Sequence, residues 1–487
     1  MRIFAAVNTT SKYQAVIGLE VHTQLLTKSK LFCGDSTAFG ADANTQVSPV
    51  SLAHPGTLPV MNKEVIELAL KLGIALNCTI VQHNYFARKN YFYPDLPKAY
   101  QVSQHTAPVC LGGYLKIGIG EGEKKILLNR IHMEEDAGKS IHDIDENHTS
   151  IDLNRAGSPL LEIVTEPCIH SADEAYAYLT ELRRLVRWLG VCDGNMEEGS
   201  MRCDANISIR LQGETKLGTR VEVKNLNSIR NVKRAIEYEI QRLIEITEKG
   251  EKIIQQTRSF DADKGTTFSL RTKEDAEDYR YFPEPDLPPF YISDKRLAAV
   301  KETMPALPEE LQKKYCSVYQ LSAYDANLIC ADKEDAAFFE AIITHTDKYK
   351  AAANWMIGPV KSYCHEKRIS LADFPLTTRA IADLVELVET GKVNFNTAAH
   401  KVMQRMIDNP GHTAMETAMA LNLLQEHDGN AIEEWVTTAL HNLPEKVKEY
   451  KSGKKGLIGL FAGEVKKLSK GKADMQLVNK LLLEKLK

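Results

Sequence analysis

The chain has 487 residues, 43% hydrophobic and 26% charged, with a net charge of −4. At about 150 residues per domain this length fits several domains, and the composition excludes a disordered or fibrous protein. No apolar run approaches the roughly 18 residues a membrane span needs. The opening residues have too short an apolar core for a secretory signal, so a soluble cytoplasmic protein is expected. The nine cysteines are scattered and contain no C-x-x-C, which argues against a disulfide framework and a zinc ribbon.

Strand and helix signals alternate from Tyr13 to about residue 293. In IGLEVHTQL (17–25), Ile17, Leu19, Val21 and Leu25 share one face, and Glu20 and His22 the other. Ser171 followed by Glu174 predicts a helix start, an apolar stripe runs from Ala175 to Leu189, and Gly190 suits the stop. MRCDANISIRL (201–211) again alternates, and a second helix is predicted from about Asn231 to Lys249. Strands with one apolar and one polar face are usually antiparallel. Beyond the proline-rich EPDLPPFYI (284–292) the periodicity is helical, with a breaker at DNPG (408–411). Residues 445–487 carry twelve Lys against five Asp or Glu, a basic tail on an acidic body that suits a polyanionic partner or a solvated helix end. The expected class is α+β, an antiparallel sheet followed by helices.

Carboxylates recur where half-buried strands do not need them. They are Glu20 beside His22, the run Glu134, Glu135 and Asp136, Glu162 and Glu166 within PLLEIVTEP, and Glu222 beside Lys224. Embedded carboxylates must be paired, protonated or bound to a cation. Arg130, Arg155, Arg202, Arg220 and Lys224 could supply ordinary ion pairs, and for any single Glu that is the better reading. The whole set favours a divalent metal binding phosphate. His22 would be an unusual magnesium ligand and would tolerate manganese. ARKNYFYPDLPKAYQ (87–101) and EDYRYFPEPD (277–286) mix cations with aromatics, which suits phosphate contact and base stacking or simply two packed loops. Gly138-Lys139-Ser140 is not a P-loop, because Met133 stands where its first glycine would be. With no G-x-S-x-G elbow, a nucleophilic amidase activity is not expected in this chain.

Together IGLEVH (17–22), RKNYFYPDLPK (88–98), HMEEDAGK (132–139), DLNRAGSPLLEIV (152–164), MEEGSMRCDANIS (196–208), KNLNS (224–228) and DYRYFPEPD (278–286) resemble the motifs of the GatB family. GatB is the B subunit of the tRNA-dependent amidotransferase GatCAB. The resemblance implies a cradle domain related to glutamine synthetase and guanido kinases over 1–293, a helical domain over 294–411, and a tRNA-contacting tail over 412–487. It implies GatA and GatC as partners, with ATP and magnesium. The implied reaction is phosphorylation of the side-chain carboxylate of Glu-tRNA(Gln) or Asp-tRNA(Asn). Ammonia made from glutamine by GatA then displaces the phosphate. By motif position Glu20, His22, Glu135, Glu162 and Glu222 are the implied magnesium ligands, and Lys89 and Lys98 the phosphate ligands. Some family members carry four thiolates where this chain has Cys33, Asp35, Ser48 and Ser51, so no zinc is expected there. A free-standing ligase acting on a small acid and a non-catalytic RNA-binding scaffold are the competing readings. A small substrate gives the basic tail no purpose.

Overall fold

The computed structural model describes residues 12–104, 106–120, 122–142, 144–272, 279–425, 429–469 and 472–486. The chain divides into two compact units, the first ending at Leu307 and the second beginning at Pro308.

The first unit is built on one large sheet. Among the described residues its strands run in the order Thr266–Thr272, Gln256–Asp261, Val221–Leu226, Met201–Leu211, Tyr13–Gln24, Pro159–Thr165, Gly122–Glu135, Cys110–Leu111 and Thr79–Ile80, and Tyr114–Ile119 forms a hairpin with Gly122–Glu135. The alternation in the sequence becomes two chemically different faces. Ile17, Leu19, Val21, Cys203, Ala205 and Ile207 are buried on one face, in a core shared with the helices Lys63–Ala75, Ala172–Trp188 and Ile229–Glu248. Burial of that face supplies the main drive to form the sheet.

The helices start where the local chemistry dictates. Ser171 Oγ accepts from Glu174 N at 3.1 Å, while the Glu174 carboxylate accepts from His170 N at 2.7 Å. Ser228 Oγ likewise accepts from Asn231 N, so the second helix opens at Ile229, slightly before the predicted Asn231. That helix also explains the one departure from an antiparallel sheet among the described residues. It carries the chain from Val221–Leu226 across to Gln256–Asp261, and those two strands pair in parallel, as a helical crossover requires.

A smaller sheet of Arg280–Pro283, Ala87–Asn90 and Tyr100–Ser103 joins the two aromatic-rich motifs. Glu277 and Asp278 of the second motif lie outside the described residues. Arg88 ties the motifs together, with its guanidinium on Glu284 and Asp286 at 2.7–2.9 Å and 4.3 Å from the centre of the Tyr100 ring. In the first motif, packing therefore claims Arg88 and Tyr100, whereas Phe92 and Tyr93 stay exposed.

The second unit is helical, and no described residue after Tyr291 belongs to a strand. Thr378–Glu389 buries Ile381, Leu384, Val385 and Leu387, the stripe its sequence predicts. The helix Met403–Asp408 stops at DNPG, where Gly411 adopts φ +114. Ile432, Val436, Phe461, Val465, Val478 and Leu482 form a separate cluster among the last helices. Among the described residues no helix is long and apolar enough to cross a membrane.

Candidate functional site

The site lies on the polar face of the large sheet. Register brings its members together, since His22 stands opposite Glu162 on one side and opposite Arg202 on the other, and Glu162 stands opposite His132. All of these side chains leave the sheet on the same side.

Three groups form the tightest constellation. Donor atoms of His22, Glu134 and Glu162 lie within 4.8 Å of one another. His22 Nε2 is 3.4 Å from Glu162 Oε2, and His132 Nε2 is 3.3 Å from the same oxygen and 2.9 Å from Glu134 Oε1. Glu134 is also held from the smaller sheet, by Gln101 Nε2 at 3.1 Å and Ser103 Oγ at 2.5 Å. The smaller sheet thus lies against the polar face at this point.

The electrostatics follow from burial and crowding. Burial opposes charge on His132, but Glu134 and Glu162 outweigh it and raise the imidazole to about 9. Burial likewise works against His22 as a cation, and its hydrogen bond with Glu162 prevails. Burial alone would raise Glu162, yet the two imidazoles hold it well below its ordinary range. The carboxylates are thus ionised, and the His132 imidazolium is their counter-ion. Two carboxylates and one imidazole converging at this range also make a donor set suited to a divalent cation.

Glu20 and Glu222 sit further along the same face. Burial, with the charges of Glu162, Asp204 and Glu222, pushes the Glu20 carboxyl up. Its Oε1 accepts from Asn206 at 2.9 Å. Glu222 accepts from Thr257 Oγ1 at 2.9 Å, and Lys224 bridges Glu222 at 3.1 Å and Asp204 at 2.5 Å. A cavity of ≈510 Å³ opens beside Glu20, lined also by Asn206, Ser208, Arg220 and Gln255.

Glu135 does not join this group. Successive residues of a strand point to opposite sides, so Glu134 faces the triad and Glu135 faces away. Its carboxylate pairs with Lys98 and accepts from Val102 N at 2.8 Å. Lys98 and Glu135 line a different cavity, of ≈380 Å³, with Phe32, Arg88 and Asp136. Lys89 does face the triad. Burial lowers its affinity for a proton, and the nearby Glu134 and Glu162 charges more than compensate. Its ammonium lies 4.9 Å from the Tyr279 ring centre and makes no ion pair among the described residues.

The motif positions named Glu135 where Glu134 joins His22 and Glu162, and they passed over His132. The signal was present in HMEED, where a period of two puts His132 and Glu134 together and sets Glu135 apart. The thiolate positions form their own cluster. Ser51 Oγ donates to Asp35 Oδ2 at 2.6 Å and accepts from Ser48 N at 3.0 Å. The wholly buried Lys30 donates to Gln46 O at 2.8 Å and lies 4.0 Å from Asp35.

Residues 15–298 match the family described as the GatB/GatE catalytic domain, and residues 337–486 the one described as the GatB domain. The chain is 49% identical over 481 residues to the B subunit of the aspartyl/glutamyl-tRNA(Asn/Gln) amidotransferase of Geotalea uraniireducens, covering 98% of this chain and 99% of that protein. It is 47% identical over 476 residues to the same subunit of Nitratidesulfovibrio vulgaris and 46% identical over 476 residues to that of Thermodesulfovibrio yellowstonii, in both cases covering 98% of this chain and all of the relative.

Proposed function

The chain belongs to the GatB family, and we propose that it is the B subunit of a tRNA-dependent amidotransferase, working with GatA and GatC in the cytoplasm. Its substrates are Glu-tRNA(Gln), Asp-tRNA(Asn) or both, with ATP. The observation that carries the reading is the convergence of His22, Glu134 and Glu162 on one polar sheet face.

The chemistry asks for this kind of face. A carboxylate is a poor electrophile because its oxygen leaves badly. Phosphorylation by ATP turns it into an acyl phosphate that ammonia can attack. Transfer of this kind depends chiefly on positioning and charge neutralisation. His22, Glu134 and Glu162 would hold a magnesium ion, with Glu20 and Glu222 as further carboxylates along the face, and the ion would neutralise phosphate oxygens and orient the nucleotide. Lys89, facing the triad without an ion pair among the described residues, is the phosphate-contacting lysine. Lys98 could contact phosphate only by giving up Glu135, and Glu135 is left out of the metal shell. The cavity beside Glu20 is of a size that suits a small ligand. The smaller sheet buries Glu134 and would help keep water from the acyl phosphate.

The first unit would be a cradle of the glutamine synthetase and guanido kinase kind, its open polar face holding the nucleotide. The helix Asp294–Glu302 packs Val300 into the core of the first unit, which moves the expected boundary from 293 to 307. The helices over 308–411 and the tail over 412–487 would be separate domains, the tail contacting tRNA phosphates through its lysines. The separate apolar cluster of the last helices supports that division.

The decisive comparison is Glu134→Gln against Glu135→Gln in the complex with GatA and GatC. Manganese binding, followed by electron paramagnetic resonance, should weaken at least tenfold in Glu134→Gln and stay unchanged in Glu135→Gln, with amidation of Glu-tRNA(Gln) or Asp-tRNA(Asn) falling in the first. Retained metal binding and amidation in Glu134→Gln would favour a scaffold role.

A further inference from the structure

Arg202 is a charged group on the working face that the triad does not absorb. It stands directly across from His22 in the sheet. Its Nη2 donates to Asp136 Oδ2 at 2.8 Å. Asp136 follows the Gly122–Glu135 strand, which lies beyond both His22 and Glu162 in strand order. The cross-strand row is Arg202, His22, Glu162 and His132, and the bond to Asp136 draws the guanidinium off that row toward the end of the strand that carries Glu134. Burial opposes its charge, and Asp136, Asp204 and Glu134 together restore it.

The anchor is firm. Asp136 is 4% exposed, lies 3.5 Å from Arg155 Nε, and accepts from Ala137 N at 2.9 Å. Arg155 is in turn fixed by the carbonyls of Ala137 and Gly138 at 3.0 and 2.7 Å. Arg202 is held at one corner only. A guanidinium has five N–H donors, yet the bond to Asp136 is the only hydrogen bond the Arg202 side chain makes among the described residues, and that side chain is 34% exposed. A fixed, planar, permanently charged fork with free donors matches an oxyanion.

We propose that Arg202 is the oxyanion-binding residue of this face, contacting the anionic group that reacts beside the His22–Glu134–Glu162 triad. The assignment rests on the phosphoryl-transfer reading above and adds a residue to it. In that reaction one oxygen of the aminoacyl carboxylate forms a bond to the γ-phosphorus of ATP. The bond from that phosphorus to the β,γ-bridging oxygen breaks, and ADP leaves with the electron pair. No proton is gained or lost. Two anions must approach on a face already crowded with carboxylates, and Arg202 lowers their repulsion. The oxyanion is either the γ-phosphoryl group or the substrate carboxylate, two sources of one chemistry.

The test uses Arg202→Lys and Arg202→Ala in the complex with GatA and GatC. Binding of β,γ-imido-ATP, AMP and manganese is measured beside the KM for Glu-tRNA(Gln). If Arg202 holds the γ-phosphoryl group, both variants weaken β,γ-imido-ATP by about tenfold or more and leave AMP unchanged. If it holds the carboxylate, nucleotide binding is unchanged and the KM for the aminoacyl-tRNA rises by about as much. In either case added guanidinium should partly rescue Arg202→Ala. The proposal falls if none of these quantities moves, or if β,γ-imido-ATP, AMP and manganese weaken together, as a purely structural tie would cause. Should Arg202→Ala not fold, Arg202→Lys decides alone, because it keeps the charge and loses the fork. Intact manganese binding with a failed Arg202 test leaves the functional reading standing. Absent manganese binding in the unaltered complex removes that reading and this proposal with it.

Discussion

Replacing Glu239 by Gln should destabilise the first unit severely, and the cause is local. Glu239 is fully buried on the helix Ile229–Glu248. It accepts from Arg242 Nη2 at 2.7 Å and Nε at 3.0 Å, lies 3.1 Å from Arg258 Nε, and accepts from Thr267 Oγ1. Burial already disfavours the Arg258 cation, and the Glu239 charge is the largest effect opposing it. Removing one member of a buried pair costs roughly 3–5 kcal/mol, because the other charge stays buried without a counter-ion. In a unit of this size 1 kcal/mol corresponds to about 2 °C in Tm, so a fall of about 6–10 °C is expected in thermal unfolding followed by circular dichroism. The damage should reach the working face as well. Arg258 adjoins Thr257, whose hydroxyl fixes Glu222, so metal affinity should also decline. Replacing Glu239 and Arg258 together by Met should recover much of the loss. A Tm change of less than about 2 °C in Glu239→Gln would refute the reasoning.

Without metal, stability should also depend on pH. His132, raised to about 9 from an ordinary 6.5, binds more protons folded than unfolded. Its contribution, on the order of 3 kcal/mol, is complete below about pH 6.5 and disappears as pH rises through about 9. Glu162, held below its ordinary 4.5, contributes above that value and loses its share as pH falls through its folded value. Thermal unfolding in chelator should therefore be highest between these limits, and a Tm that stays flat from pH 6 to beyond 9 would contradict the assignment. Deleting residues 412–487 should abolish amidation of charged tRNA while leaving some ATPase. Equal amidation after the deletion would point to a small substrate instead.

Much of this architecture can be read from residue order. The alternation in IGLEVH and MRCDANIS gives one apolar and one polar face, and the polar one carries His22, Glu20 and Arg202. Ser171 and Glu174 mark their helix start. The periodic stripes past residue 293 become helices. Less legible was anything that depends on pairing between distant segments. A run such as Glu134, Glu135 and Asp136 reads as one acidic block, but the strand sends its first two carboxylates to opposite sides, and the third lies beyond the strand end. Lys98 is paired with Glu135 because a loop closes back onto the strand, and no local pattern encodes that closure. The parallel pairing of Val221–Leu226 with Gln256–Asp261 likewise follows from where the intervening helix crosses, which periodicity alone does not reveal.

The adjacency of Glu134 and Glu135 has a mechanical consequence. One peptide bond joins a donor of the triad to the carboxylate that grips Lys98 in the other cavity. Consecutive residues of the Tyr100–Ser103 strand hold both carboxylates, Gln101 and Ser103 on Glu134 and Val102 N on Glu135, so a shift of that strand disturbs the partners of both. A ligand in the second cavity that displaced this strand would therefore alter the triad as well.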